Sequence, residues 1–139
     1  MIVLDANVII GHLEAGNALH RRASALIRQA IKNDEHFAVH PLTLGEVLVG
    51  AVRNGIEEQT LRAVTDDLEV EILNDFPAEW PLDIARTRAA TGLRMPDAVV
   101  FEAAIRKGAL IATFDRQLAA AAKTAGILYG EAPTPLAEP

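Results

Sequence analysis

Four acidic residues occupy comparable places in the sequence: Asp5, Glu46, Asp97 and Asp115. Asp5 and Asp115 each follow a short apolar run that is typical of a buried strand. Glu46 and Asp97 each lie in the opening turn of a predicted helix. In an open parallel sheet, the carboxyl ends of the strands and the starts of the following helices share one edge, where ligands bind. We therefore expect the four carboxylates to converge at a single site.

Convergence of these acids would place like charges side by side. Two carboxylates about 4 Å apart repel each other by on the order of 4 kcal/mol at a typical effective dielectric constant. A cluster of four would therefore bind protons or a cation. Carboxylate oxygens favour Mg²⁺ or Mn²⁺ over zinc, and such metals activate water and orient the phosphate in phosphodiester hydrolysis. The pattern thus indicates a metal-dependent hydrolase that acts on phosphodiester bonds.

Each acid also has a simpler structural interpretation, which the sequence leaves open. Thr43 and Glu46 have the spacing of a capping box. Asp97 in a first helical turn would complement the helix dipole, and Asp5 and Asp115 would cap the helices that follow them. A common site is favoured because all four acids lie against apolar segments, at the margin of the predicted core.

Short apolar runs alternate along the chain with segments of helical periodicity. Strands are predicted at Ile2–Leu4, Phe37–Val39, 70–73, 109–114 and, at the edge of the sheet, 127–129. Helices are predicted at 6–13, from an Asn17 cap to 31, and at 43–54, 57–67, 77–90, 96–107 and 115–124. Pro81 lies inside the fifth of these helices, which either begins at that proline or is kinked there.

This order of elements predicts βαβ units and an α/β fold. We expect a three-layer α/β/α architecture around a central, mostly parallel five-stranded sheet. One domain over residues 1–130 accommodates every predicted element. Residues 131–139 contain three prolines and are expected to form a flexible tail.

The composition is that of a compact globular domain. Half of the 139 residues are apolar and 23% are charged, which argues against disorder. No apolar run is long enough to span a bilayer and no basic-then-apolar leader opens the chain, so we expect a cytoplasmic protein that binds no membrane. The absence of cysteine excludes disulfides and thiolate metal sites.

The net charge of −6 is unevenly distributed. Residues 57–83 hold the excess of acidic side chains, with Arg62 as their only basic residue, and the rest of the chain is slightly basic. The overall charge therefore does not exclude a polyanionic substrate that binds elsewhere on the molecule.

Four segments together resemble the PIN domain family, and within it the VapC-type toxins of type II toxin–antitoxin pairs: MIVLDANVII, PLTLGEVLVG, RMPDAVV and IATFDRQL. The resemblance runs in register from residue 1 to residue 129, and all four acids match the family pattern. It implies an α/β fold with a central parallel sheet and the activity of a Mg²⁺- or Mn²⁺-dependent endoribonuclease.

The same resemblance implies roles for the acids. Asp5, Glu46, Asp97 and Asp115 match the catalytic positions of the family. Asp5 and Asp97 are expected to bind the metal directly, and Asp115 to bind it through water or at a second metal position. Glu46 would orient water or act as a base.

Four further residues are candidates for substrate binding. Asn7 and Thr113 match small polar positions beside the first and the last acid of the family pattern. Arg94 and Arg116 flank predicted metal ligands, where a guanidinium group could hold a phosphate oxygen. A solvated or ion-paired arginine is the alternative that the sequence leaves open for both.

The resemblance also implies the partners. These are an RNA substrate, a cognate protein antitoxin, and a second copy of the chain in a homodimer that forms a heterotetramer or larger assembly with the antitoxin. Aromatic residues make up only 4% of the chain, which leaves few stacking platforms for single-stranded bases and favours a folded RNA such as a tRNA or a ribosomal stem-loop. Segments 23–31 and 44–52 are expected to hold the dimer contact and the antitoxin groove.

Two other functions are left open by the sequence. The fold could serve as a non-catalytic module that binds protein or RNA, although the intact set of acids argues against this. A Mg²⁺-dependent phosphatase of the haloacid-dehalogenase type also begins with a strand and an aspartate. That chemistry needs a second acid two residues later, where this chain has Asn7.

Overall fold

The computed structural model describes residues 1–130, so the predicted tail, 131–139, lies outside the described residues. The strands are β1 (Ile2–Leu4), β2 (Phe37–Val39), β3 (Glu71–Ile72) and β4 (Leu110–Ala112). The helices are α1 (Ala6–Leu13), α2 (His20–Lys32), α3 (Pro41–Arg53), α4 (Glu57–Arg62), α5 (Trp80–Thr91), α6 (Met95–Lys107) and α7 (Arg116–Thr124). A π-helical turn, Ala63–Asp67, follows α4.

The four strands form one parallel sheet in the order β3-β2-β1-β4. Strand β1 is an inner strand, in which Ile2 pairs with Phe37 of β2 and with Leu110 of β4. Parallel strands need long crossover connections, and here helices supply them. The predicted α/β fold with a parallel sheet is confirmed.

The sheet in residues 1–130 has four strands, whereas the sequence predicts five. Segment 127–129 joins β4 through a single pair, Ile111 with Leu128. Gly126 and Gly130 flank this segment in the left-handed conformation, with φ angles of 74° and 79°. Because the chain turns on both sides, it runs beside β4 too briefly to form a strand.

The sheet separates two hydrophobic cores. Val3 of β1 belongs to a core shared with α5, α6 and α7, whereas Ile2 and Leu4 belong to a core shared with α1, α2 and α3. Successive side chains of a strand point to opposite faces of a sheet, and all three of these side chains are fully buried. The three-layer α/β/α architecture is therefore confirmed.

One helix begins later than the sequence predicts, and another begins within one residue of the predicted alternative start at Pro81. Helix α2 begins at His20, because the Asn17 side chain accepts the Leu19 N–H at 2.8 Å and closes a turn before the helix. Helix α5 begins at Trp80, which places Pro81 in the first turn, where its missing N–H breaks no helical hydrogen bond. No helix in residues 1–130 combines the length and the hydropathy that a bilayer-spanning segment needs.

Helix α3 begins at Pro41, two residues before its predicted start. The His40 side chain caps the helix, since its Nδ1 accepts the Leu42 N–H at 3.1 Å. Thr43 lies inside the first turn and is fully buried. The capping-box alternative for Glu46 is therefore wrong, because that motif needs Thr43 at the cap position.

Replacing Ile111 tests the contribution of β4 to the core. Ile111 is 0% exposed, whereas Ile105 of α6 is 53% exposed. We expect Ile111→Ala to lower the free energy of unfolding by about 2–5 kcal/mol, because it removes buried methyl groups and leaves a cavity. The matched change Ile105→Ala should cost less than about 1 kcal/mol. Urea denaturation followed by circular dichroism measures both, and similar losses for the two variants would contradict this core assignment.

Candidate active site

Asp5 and Asp115 lie near each other at the carboxyl edge of the sheet, because β1 and β4 are neighbouring strands. Both cap the helix that follows: Asp5 Oδ1 accepts the Ala6 N–H at 2.8 Å, and Asp115 Oδ1 accepts the Leu118 N–H at 2.9 Å. These capping interactions, which the sequence left as alternatives, are confirmed. A carboxylate has capacity for several hydrogen bonds, so the capping role of each acid leaves room for a chemical one.

The Thr113 hydroxyl connects these two acids. It donates a 2.6 Å hydrogen bond to Asp5 Oδ2 and accepts the Asp115 N–H at 3.0 Å. The Thr113 side chain is buried, so both hydrogen bonds form away from bulk water. Thr113 thus positions Asp5 and Asp115 relative to each other, and its contact with a substrate stays a prediction.

Asn7 holds the same loop from α1. Its Oδ1 accepts the Phe114 N–H at 3.2 Å, which ties the first turn of α1 to the segment that carries Asp115. The Asn7 side chain also lines a cavity beside Asp115. Asn7 therefore positions the loop, and its contact with a substrate stays a prediction.

The pKa of Asp5 reports the proximity of the other acids. Burial raises the pKa of this carboxyl, and the charges of Glu46 and Asp115 raise it further. Hydrogen bonds from Thr113 and the Ala6 N–H oppose the rise, because they stabilise the charged form. Asp5 is therefore a buried carboxyl with two acidic neighbours.

Asp97 and Glu46 complete the group. Asp97 lies in the first turn of α6 and is 8% exposed. Burial raises its pKa, Asp115 and Asp5 raise it further, and Arg94 lowers it. Burial raises the pKa of Glu46 on α3, and Asp97 adds to that rise. The structure therefore brings all four predicted acids close enough to repel one another at one edge of the sheet.

The donor chemistry of this group fits a hard divalent cation. Within residues 1–130, neither the Asp97 nor the Glu46 carboxylate accepts a hydrogen bond from the protein, and the two repel each other. Such oxygens suit Mg²⁺ or Mn²⁺. No set of three or more histidine, aspartate and glutamate side chains in the described part of the chain is arranged so that it could hold a metal ion. The carboxylates therefore have the ligand chemistry that a divalent cation needs, but their side chains are not arranged around a common point.

A cavity of about 790 Å³ opens beside Asp115, and we call it the arginine cavity. Its lining includes Asp115 together with Arg94, the cap residue of α6, and Arg116, the first residue of α7. Both arginine side chains are exposed, and guanidinium groups bind phosphate oxygens in pairs of hydrogen bonds. The two predicted arginines therefore lie at the candidate site, where they could bind a phosphate.

The sequence does not single out Phe114, although its ring also lines the arginine cavity. The Arg22 guanidinium group of α2 lies 4.5 Å from the centroid of this ring, a cation–π contact. The only local signal is that Phe114 precedes Asp115. Its contact with Arg22 joins distant parts of the chain, so residue spacing alone cannot reveal it.

Comparisons with known proteins agree with this geometry. The family model of the PIN domain matches residues 2–124. A toxin–antitoxin complex from Klebsiella pneumoniae contains a chain with 26% identity and a TM-score of 0.61, over 83% of this chain and 87% of that one. VapC20 of Mycobacterium tuberculosis, a toxin that cleaves the sarcin–ricin loop, shares the fold at 17% identity and a TM-score of 0.64, over 87% and 95% of the two chains. The comparison with curated proteins finds no significant match.

The fold and the site define an α/β domain with mutually repelling carboxylates at the carboxyl edge of a parallel sheet. The chain belongs to the PIN domain family, because the family model covers most of its length. The family predicted from four sequence motifs is confirmed.

We expect Asp97→Asn to stabilise the fold at neutral pH. Burial and the charges of Asp115 and Asp5 raise the pKa of Asp97, so the fold disfavours its ionised form, and removing that charge should increase the free energy of unfolding. The repulsion acts above the raised pKa and is lost as the pH falls through it. The gain should therefore be larger at about pH 7.5 than at about pH 4.5.

Urea denaturation at both pH values measures this difference. Asp67→Asn is the matched control, because Asp67 is an exposed aspartate outside the site. A loss of stability in Asp97→Asn at neutral pH, or an equal gain in Asp67→Asn, would show that the acids do not repel one another as described.

Thr113→Val should destabilise the protein, because it keeps the shape of the side chain but removes the hydroxyl that serves Asp5 and Asp115. The loss of a hydrogen bond to a buried charged group costs about 1.5–3 kcal/mol. Thr113→Ser keeps the hydroxyl and should lose less than about 1 kcal/mol. Thermal unfolding measures both variants at neutral pH, and equal stabilities would rule out this positioning role.

Proposed function

We propose that this protein is a metal-dependent endoribonuclease of the VapC toxin type, which hydrolyses phosphodiester bonds in RNA. The observation that carries the proposal is the group of four repelling carboxylates beside the arginine cavity. Membership of the PIN domain family supports it. The acids supply ligands for a cation, and the arginines supply partners for a phosphate.

Asp5, Asp97 and Asp115 would hold Mg²⁺ or Mn²⁺ after their side chains turn towards a common point, because they are not already arranged around one in residues 1–130. When bound, such a metal activates water and stabilises the charge that develops on the phosphate. Glu46 has a raised pKa and would orient water or accept its proton. Thr113 would hold Asp5 and Asp115 in fixed positions relative to each other through its two hydrogen bonds.

Arg94 and Arg116 would bind the phosphate of the RNA. Arg94 is the cap residue of α6, whose first turn carries Asp97. Arg116 is the first residue of α7 and directly follows Asp115. The guanidinium groups can donate paired hydrogen bonds to phosphate oxygens. Their proximity to Asp97 and Asp115 would place the scissile bond next to the metal ligands.

The partner in this proposal is a protein antitoxin, and the toxin itself forms a homodimer in the cytoplasm. Similarity to a chain from a toxin–antitoxin complex supports the antitoxin. Exposed apolar side chains on α3 and the segment after it offer a contact surface: Leu42, Val49, Val52 and Ile56. Within the predicted contact segments, Ala23, Ile27 and Val47 are instead buried in the core.

RNA cleavage by the purified protein tests the proposal. We expect cleavage of structured RNA with Mg²⁺ or Mn²⁺ and none with a chelator. Asp5→Asn and Asp97→Asn should each lower the rate by more than about 100-fold, since even the loss of a residue that only supports a metal ligand costs 10- to 100-fold. Asp67→Asn is the matched control and should cleave at the rate of the wild type.

Two further readouts separate the alternatives. Titration calorimetry with Mn²⁺ should show binding to the wild type and weaker binding to Asp97→Asn. RNA binding without cleavage, together with no Mn²⁺ binding, would point to a non-catalytic module. Cleavage that persists in the chelator or in both aspartate variants would come from a contaminating nuclease and would reject the proposal.

A further inference from the structure

A second cavity, of about 580 Å³, adjoins the arginine cavity. It lies between residues 90–93 at the end of α5, Phe101 of α6, and residues 117–125, which cover α7 and its C-cap. None of the described residues that line it carries a charge, so we call it the neutral cavity. Most of its lining is alanine, leucine and phenylalanine, with a few hydroxyl and amide groups.

The two cavities share part of their lining. Gly92 and Gln117 line both of them. Gly92 has no side chain to separate the cavities, and a Cβ placed there would meet no atom within 4 Å. A ligand could therefore extend from the arginines into the neutral cavity over Gly92.

The different linings of the two cavities indicate the chemistry of the ligand that would bind across them. One compartment presents Arg94 and Arg116 beside the candidate acids, and the next presents an apolar surface with Phe101. A nucleotide has the same two parts, an anionic phosphate and a flat base with a large apolar surface. An apolar peptide segment would match the neutral cavity but would leave the adjoining arginines without partners.

We propose that the neutral cavity holds one unpaired base of the RNA, next to the phosphate that Arg94 and Arg116 bind. This inference rests on the proposed nuclease function. Phe101 offers an aromatic surface to the base, and aromatic contacts of this kind do not depend strongly on base identity. Thr91, Gln117 and Thr124 can exchange hydrogen bonds with its edge. A base can enter only if it is unpaired, so a loop nucleotide fits and a duplex does not.

A binding experiment in a chelator tests the pocket without cleavage. The probes are a fluorescently labelled hexa-adenylate RNA and a ribose-phosphate chain of the same length without bases. We expect the wild type to bind the RNA about tenfold more tightly than the abasic chain, the strength expected of one base on an aromatic surface. Arg94 and Arg116 should bind the phosphates of both probes alike.

The matched variants are Ala90→Trp and Ala89→Trp. Both alanines are exposed near the end of α5, but only Ala90 lines the neutral cavity. Ala90→Trp should fill the cavity and lose the preference for bases, whereas Ala89→Trp should keep it. Ala120→Leu fills the cavity from α7 and should act like Ala90→Trp. Circular dichroism confirms that each variant folds.

The outcomes distinguish the pocket from the nuclease function. If the wild type shows no preference for bases, or if both filling variants keep it, the pocket is rejected even when metal-dependent RNA cleavage occurs. If the preference is present and both filling variants lose it, the pocket is supported. That result stands even if the wild type fails to cleave RNA, in which case the proposed nuclease function is the one that fails.

Discussion

Repulsion among four carboxylates at one edge of the sheet is the constraint on which the rest of this structure depends. The fold holds these charges together by attaching them to elements that cannot move apart. Strands β1 and β4 are paired and buried between two cores, and the Asp5 N–H continues their ladder with a 3.0 Å hydrogen bond to the Ala112 carbonyl. Burial and the neighbouring charges both raise the pKa values of Asp5, Glu46 and Asp97, and a bound cation would stabilise their ionised forms.

The polar groups at this edge serve structure and chemistry together. Asp5 and Asp115 cap helices, and Thr113 and Asn7 hold the loop between β4 and α7 against α1. The choice between a cap and a site residue, which the sequence left open, is therefore not exclusive. A capping hydrogen bond fixes the position of a carboxylate, and a fixed carboxylate is a better ligand because less rotational freedom is lost on binding.

Basic side chains near the candidate site would attract a polyanion, although the net charge of the protein is −6. Arg94 and Arg116 line the cavity beside the acids, and Arg22 reaches the same place through its contact with Phe114. The uncharged surface that begins at Gly92 adds a neighbouring cavity of about 580 Å³, which is large enough for a base. Phosphate, scissile bond and neighbouring base would then each have a distinct part of the site, as a nuclease that acts on unpaired nucleotides requires.

The sequence alone determined the family, the alternation of strands and helices, and the four acids at the strand ends and helix starts. These follow from apolar periodicity and from motifs whose residues are close together in the chain. It did not determine that segment 127–129 fails to form a fifth strand, because this depends on the turns at Gly126 and Gly130. It also did not determine where α3 begins, because this depends on the His40 cap. Only the tertiary structure decided that Thr113 joins Asp5 to Asp115, that Arg22 lies on Phe114, and that α5, α6 and α7 line a neutral cavity. Each of these is a contact between distant segments, whose geometry is set by how the layers pack and not by any local pattern.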